Sequence, residues 1–551
     1  MRFLGREAVR THVVRAVFRD GVWRLTRGPA DTPVITDDDR ATAAASVNDR
    51  LGEMDSRLSD RQLVWRLELM KSAFSNGRTT PGLSRTFALA ALASPDRPHD
   101  IAGPVDEVSP FAIAAAFRNV GAPVAGLGLT RTVIALRAGL AAVLGLAAFV
   151  WVALRTFSWP SRLPPTVRVT VAVHAERVNR TGHILKTLRD LDPATTALII
   201  IGRPQIGLDA VRTLLREHGW TGPVVRSFNL AAALRGLPHA LALIAAGPRA
   251  LLAGDYLPSF RAQVASMFRV ALGAATARWW AAQAARPEVV VYGHNGLADT
   301  LLLDQAQQQT GARTVHWMHG VSAGRIYVGI SSLCVFQCGH DARWHDELGA
   351  YRRNISFAAP RPAFRTGSTG WVVMTNFTHP GYTFYPSVGP AHELELMALV
   401  ADAAARSGVS ADQVVWKPHP VFYLVEPETR RLVTEALASH GFRLWPQDNR
   451  DFALCADFQT IITTPSGVAL DVLKLGRLPV MAAFHPTDPD HLLSRFTLRA
   501  GAADSLLEQI ALARDPLSAP AIFDAVWKAI DPGRTPDFDE IVQAARMSPD
   551  Q

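Results

Sequence analysis

Two short segments in the second half of the chain hold residue types suited to gripping an anion. Trp416-Lys417-Pro418-His419-Pro420 closes one apolar run, and Thr463-Thr464-Pro465-Ser466-Gly467 closes another. Lys417 and His419 are two apart, so on a strand they share a face and offer two cations or donors to a phosphate. Pro420 stops that strand. In the second segment Thr464, Ser466 and Gly467 precede Val468-Ala469-Leu470-Asp471, the start of a helix. A strand turning through small hydroxyl residues into a helix bares backbone amides at the positive end of the helix dipole, which suits an anion. Ser466 is also a residue type that simply caps a helix. Asp471, one turn on, either reaches a ribose or stays solvated.

A third group lies earlier, in Gly293-His294-Asn295-Gly296 with Asp299, and in His316-Trp317-Met318-His319-Gly320. Histidine and aspartate are the side chains that a transfer reaction recruits to take a proton from an acceptor hydroxyl. His319 is the first choice for that base and Asp299 the second, with His294 beside them.

These segments need a scaffold that gathers strand ends. From Val167 on, apolar β-rich runs alternate with amphipathic helical stretches, the pattern of doubly wound parallel sheets. Strands are expected at Val167–Val173, Ala197–Gly202, Val289–Gly293, Thr314–Gly320 and Leu333–Gln337. The pattern restarts with Trp371–Asn376, Val414–Pro420, Thr460–Gly467 and Leu478–Phe484. The fold class is therefore α/β, two Rossmann-like lobes, residues 161–366 and 367–545, preceded by an N-terminal extension. Two such lobes enclose a cleft, and ligands bind beyond the carboxyl ends of parallel strands.

A histidine-glycine at a first-lobe strand end, then KPHP, then TTPSG-x3-D-x4-G-x2-PV resembles the bacterial surface-polysaccharide glycosyltransferases of the GT-B fold. These include capsule-type and sialyltransferase-like families that carry an HP motif and a serine motif. The resemblance covers roughly Val289 to Val480. It implies that Lys417, His419, Pro420, Thr464, Ser466, Gly467 and Asp471 hold a nucleotide-activated donor through its phosphates or nucleoside. Residues Cys338 to Arg361 are similar to the last strand, helix and interlobe linker of such enzymes. Sialyltransferase-like members carry an acidic-acidic-glycine motif for the base, and this sequence has none. His319-Gly320 also resembles a segment of teichoic-acid polyol-phosphate transferases, whose aspartate-tyrosine-double-serine motif is replaced here by Thr464-Pro465-Ser466-Gly467, which favours sugar transfer. Competing readings are a polyol-phosphate transferase, a nucleotide-sugar epimerase and a non-catalytic membrane-associated binding protein.

The bulk properties bound these readings. At 551 residues the chain exceeds one core, and 48% hydrophobic with 19% charged residues excludes a disordered chain. The +8 charge comes from arginine, since the lysines are Lys71, Lys186, Lys417, Lys474 and Lys528. No basic run with interleaved aromatics is present, so nucleic acid is not an expected partner, whereas phosphorylated donors and anionic lipid are. Cys334, Cys338 and Cys455 form no disulfide framework and are expected as core thiols in a reducing compartment. Met1 to Arg27 is interrupted by arginine too often for a signal peptide. Residues 1–129 are expected to be a mainly helical accessory region. Residues 130–160 are expected to associate with membrane: Ala138 to Leu154 is seventeen uncharged residues flanked by Arg131, Arg137, Arg155 and Arg162. A helix lying in the interface suits a cytoplasmic donor better than a span, and a buried core helix is the alternative. The expected location is thus cytoplasmic, at the inner face of the membrane, with a polysaccharide or lipid-linked acceptor. Asp488-Pro489-Asp490 is the best metal-type motif, but it lies in a proline-containing loop, so no metal or other cofactor is expected and activity should survive EDTA.

Overall fold

A computed structural model describes residues 11–32, 64–65, 68, 83–104, 110–125, 128–156, 162–175, 181–187, 191–202, 208–253, 260–295, 297–321, 329–347, 351–375, 390–419, 422–423, 427–446, 452–482 and 492–547. Pro420, Gly296 and Asp488-Pro489-Asp490 lie outside them. Among the described residues three sheets form.

The first is N-terminal. Strands β1 (Thr11–Arg19) and β2 (Val22–Arg27) make a hairpin, followed by helix α1 (Leu83–Ala93), β3 (His99–Pro104), α2 (Pro110–Asn119) and β4 (Val124–Ala125). The sheet order is β3-β1-β2-β4, and α1 and α2 cover a core of Val14, Ala16, Trp23, Ile113 and Phe117. The region expected to be mainly helical thus also carries a four-stranded sheet. Its arginines suggest an amphipathic helix, yet the period is two: Val14 and Ala16 are buried while their neighbours are not. Asp20 and Gly21 both take positive φ (52° and 76°), the two-residue turn that matches strand twist.

Helix α3 (Gly128–Leu154) leads into the first lobe. There follow β5 (Val169–His174), α4 (Gly182–Leu185), β6 (Thr196–Ile201), α5 (Leu208–Glu217), β7 (Val224–Arg226), α6 (Leu230–Ala253) and α7 (Phe260–Ala281). Then come β8 (Val289–Tyr292), α8 (Ala298–Gln309), β9 (Arg313–Trp317), β10 (Leu333–Phe336), α9 (Gly339–Glu347) and β11 (Asn354–Ser356). The order is β11-β10-β9-β8-β5-β6-β7, all parallel. Both faces are covered, which is why β5, β6 and β8 are continuously buried. Val171, Val173 and Val291 pack towards α4 and α5, while Ala172, Val290 and Tyr292 pack towards Trp279, Trp280 and Leu303 of α7 and α8.

The accessory region is fastened to this lobe. Buried Trp65 donates from Nε1 to the carbonyl of Leu243 at 2.8 Å. Glu68, fully buried, accepts Arg269 Nε at 2.7 Å and the backbone N–H of Ala298, the first residue of α8, at 2.8 Å. A carboxylate on a helix N-terminus satisfies an otherwise orphan donor.

The second lobe holds β12 (Thr369–Met374), α10 (Pro390–Arg406), β13 (Val414–Lys417), α11 (Pro427–Ser439), β14 (Arg443–Leu444), β15 (Phe458–Thr463), α12 (Val468–Lys474), β16 (Val480–Ala482) and β17 (Arg499–Ala500). The order is β14-β13-β12-β15-β16-β17, again parallel. Helices α13 (Ala503–Arg514) and α14 (Ala519–Ile530) complete it. Asp531, at φ 54°, then turns the chain back. Pro532 and Gly533 bridge to Cys338 and Ala358, and α15 (Phe538–Arg546) buries Phe538, Ile541 and Val542 in the first-lobe core. The sequence assigns residues 367–545 to the second lobe; by packing, those from Pro532 on lie with the first, because the amphipathic face of α15 finds its partner strands there. The three cysteines are buried thiols, none in a disulfide.

Candidate active site

In the second lobe β12 is the central strand, with Met374 paired to Lys417 on one side and to Thr463 on the other. The lysine-histidine and serine-glycine segments therefore leave the same carboxyl edge, separated by one strand, roughly 10 Å. Thr464 N–H donates to the carbonyl of Met374 at 3.0 Å, and Thr375 N–H donates to that of Lys417 at 3.2 Å.

β13 ends at Lys417 rather than Pro420, because the prolines withdraw two ladder donors. The alternation that would put Lys417 and His419 on one face stops there. Lys417 shares the side of Val415, with Nζ 5.1 Å from the centre of the Trp445 ring. The His419 carbonyl accepts Phe422 N–H at 2.8 Å and so closes a turn. Its imidazole is exposed to solvent yet walled in by protein, and desolvation lowers its pKa. Asp471 has the same character: it reaches solvent, but desolvation raises its pKa against the opposing pull of Lys474.

Ser466 Oγ accepts Val468 N–H at 3.1 Å, which fixes the turn into α12. Gly467 has a different duty. A Cβ built there would lie 3.2 Å from Cγ2 of Val321, a first-lobe residue two beyond His319. The serine turn and the histidine turn therefore face each other where the lobes meet. Further along the same motif, Gly476 takes φ 76°, and a Cβ there would sit 2.3 Å from the carbonyl oxygen of Ala363. Its own carbonyl accepts Arg365 N–H at 2.9 Å, so this glycine seats the interlobe linker. Arg477 is buried against the carbonyls of Ala456 and Gln459, and burial lowers its pKa to about 10. These two residues are structural members of the motif.

In the first lobe the register sets Ala172 opposite Tyr292, and Tyr292 opposite His316, so His174, His294 and the turn after Trp317 lie along one edge. His319 is exposed, whereas His174, His294 and Asp299 are buried. His174 Nε2 lies 3.0 Å from Asp299 Oδ2, and the His294 ring packs edge-on to His174 at 5.6 Å. Asp299 Oδ1 also accepts Thr300 N–H at 3.0 Å. Asp299 is thus engaged by a buried imidazole and is suited to orienting rather than to meeting an acceptor. His174 is missing from the sequence expectations, although the rule of inspecting strand ends applied to Val169–His174 would have found it.

His183, in α4, donates from Nε2 to the Trp317 carbonyl at 3.0 Å, so Nδ1 carries the lone pair. Burial lowers its pKa to about 4, keeping it neutral. Its ring lies 6.5 Å from that of His319. His316 is turned away, with Nδ1 2.8 Å from the Tyr351 hydroxyl. Asn295 donates to buried Asp304, which also accepts Ser331 Oγ at 2.7 Å and Gln308 Nε2 at 2.8 Å. Burial raises the Asp304 pKa despite those donors, and the network fixes the loop after β8. A further group absent from the sequence reading is Glu393 of α10, buried behind β13. It accepts Trp416 Nε1 at 3.0 Å, and burial raises its pKa to about 7.

Two Rossmann-like lobes whose strand ends face one another, recrossed by a terminal helix, define the GT-B class of α/β proteins. The sequence matches no family model and no curated protein. Among solved structures the chain is similar to UDP-GlcNAc 2-epimerase from Neisseria meningitidis bound to UDP-GlcNAc, at 11% identity and TM-score 0.40 over 68% of this chain and 98% of that one. It is similar to MurG from Acinetobacter baumannii at 10% identity and TM-score 0.38, over 69% and 99%. HepE from Anabaena in complex with UDP and glucose aligns at 10% identity and TM-score 0.35, over 69% and 100%.

Proposed function

We propose that this chain is a glycosyltransferase that moves a sugar from a nucleotide-activated donor to a polysaccharide or lipid-linked acceptor. The observation that carries the reading is the meeting of the serine turn and the histidine turn across the lobe junction, seen in Gly467 against Val321. His419, with Lys417 on the same strand tip, faces the donor phosphates together with the amides around Ser466 and Gly467, and Asp471 takes the ribose. His319 accepts the proton of the acceptor hydroxyl as the new bond to the anomeric carbon forms and the bond from that carbon to the phosphate oxygen breaks. The nucleotide leaves with the electron pair, its charge met by the strand-tip cation and amides. His183, neutral beside His319, adds no positive charge to resist that protonation.

The test is a thermal-shift panel of nucleotides, nucleotide sugars and CDP-polyols, followed by turnover of whichever donor binds. The reading expects a nucleotide sugar to stabilise the chain and His419→Ala to abolish that shift. Cleavage of a CDP-polyol, or interconversion of a free nucleotide sugar without acceptor, would assign the cleft to a polyol-phosphate transferase or an epimerase instead. A His419→Ala variant that turns over normally would discard the donor assignment.

A further inference from the structure

Helix α3 is the outermost layer of the first lobe and is two-faced. Its inner face is packed on α6 and α7: Ala138, Ala141, Phe149 and Val152 are buried. At Gly145 a Cβ would lie 2.6 Å from Met267 Cβ and 3.0 Å from the backbone nitrogen of Phe268, so the two helices touch almost main chain to main chain. Among the described residues its outer face is apolar and exposed, carrying Leu136 (69% exposed), Leu140, Val143 (64%), Val150, Trp151 and Leu154 (64%). The spacing is that of one continuous helical stripe. Leu234 and Leu241 of α6 are exposed as well. A patch of this extent calls for an occupant.

Charge selects the occupant. No Asp or Glu occurs between Glu107 and Glu176, nor between Glu217 and Asp255, which takes in all of α3 and α6. The charges along those stretches are arginines, among them Arg137, Arg155 and Arg235. Arg155 lies 4.2 Å over the ring of exposed Trp151, at the end of the stripe. A second copy of the chain docked through this face would bring arginine to arginine. An anionic bilayer instead meets the apolar stripe with acyl chains and the arginines with headgroups.

We propose that the outer face of α3 seats the chain on an anionic lipid surface as a helix lying in the plane of the interface. Thr132–Leu154 and Leu230–Leu251 are long and apolar enough to cross a bilayer. For α3 the packed inner face decides against crossing, because lipid on all sides would require it to leave α6 and α7. The inference stands on this helix face alone and holds whatever the cleft transfers.

The full chain is tested by flotation with vesicles of phosphatidylcholine alone and of phosphatidylcholine with phosphatidylglycerol, beside the triple variant Leu136→Glu, Val143→Glu, Leu154→Glu. The positions are exposed, so the variant should keep the wild-type melting temperature and nucleotide response. The proposal expects flotation with the anionic vesicles, release by alkaline carbonate, and binding at least about tenfold weaker in the variant. A wild-type chain that stays unbound, or a variant that floats equally well, would overturn it. So would resistance to carbonate, which means a span, or a dimer in solution that the triple variant dissociates, which means a second copy covers the face.

Discussion

At the carboxyl edge of the first-lobe sheet the polar groups are imidazoles in crowded company: His174 buried against Asp299 and His294, His183 half-buried on the Trp317 carbonyl, and His319 exposed. At the corresponding edge of the second lobe, hydroxyls and backbone amides sit in tight turns, and His419 and Asp471 reach solvent. On the function proposed above, one edge holds and passes a proton and the other receives an anion. Parallel sheets of the same construction thus acquire different chemistry from the few residues after each strand, while the strands themselves stay largely buried.

That contrast can be broken at its strongest point first. Replacing His319 with Ala should lower kcat by about 10²- to 10⁴-fold and leave donor binding unchanged; steady-state kinetics with the donor found by thermal shift would show it. Equal loss of donor binding would erase the division between lobes. Asp299→Asn should cost less than about tenfold in kcat, since the carboxylate is sealed behind His174. A loss as large as that of His319→Ala would move the base to Asp299.

Glu393 is the second lobe's exception, a carboxyl in apolar surroundings with its pKa raised to about 7. Between the ordinary value of 4.5 and about 7, the folded chain keeps a proton that the unfolded chain has released. Stability must therefore fall as pH rises through that window and level off above it. Glu393→Gln keeps an acceptor for Trp416 and removes the fall, gaining up to about 3 kcal/mol over the wild type at pH 8 and little at pH 4. Denaturant melts at both pH values decide it, and parallel slopes for the two proteins would refute the buried carboxyl. A modest effect is expected of Gly467→Val. Branched carbons against Val321 should cost about 1–2 kcal/mol, read as a weaker donor Kd with the melting temperature little changed. Unaltered donor affinity would mean that the serine turn stands away from the donor.

Much of this is legible in the sequence. The central strands announced themselves as unbroken apolar runs because helices cover both sheet faces, and the strand-end motifs followed from that. The short outer strands β7, β11, β14 and β17 have two or three residues each and carry no period to read. The N-terminal hairpin was readable in Asp20-Gly21 between alternating runs, but its arginines mimic an amphipathic helix. His174 escaped because the strand was ended one residue early, and its pairing with Asp299 joins residues 125 apart, a distance at which local pattern is silent. Gly476 and Arg477 show the converse: a spacing that reads as one motif divides in space into residues of the turn at the lobe junction and residues that seat the linker or brace the strand before it.

Hydrogen–deuterium exchange on the full chain, with and without the nucleoside diphosphate of whichever donor binds, tests the central claim most directly. The account predicts slowed exchange in the turns after Lys417 and after Thr463 together, with a smaller change near His319 to Val321 across the junction. Binding that protects only one of the two second-lobe turns, or protects neither, would contradict it.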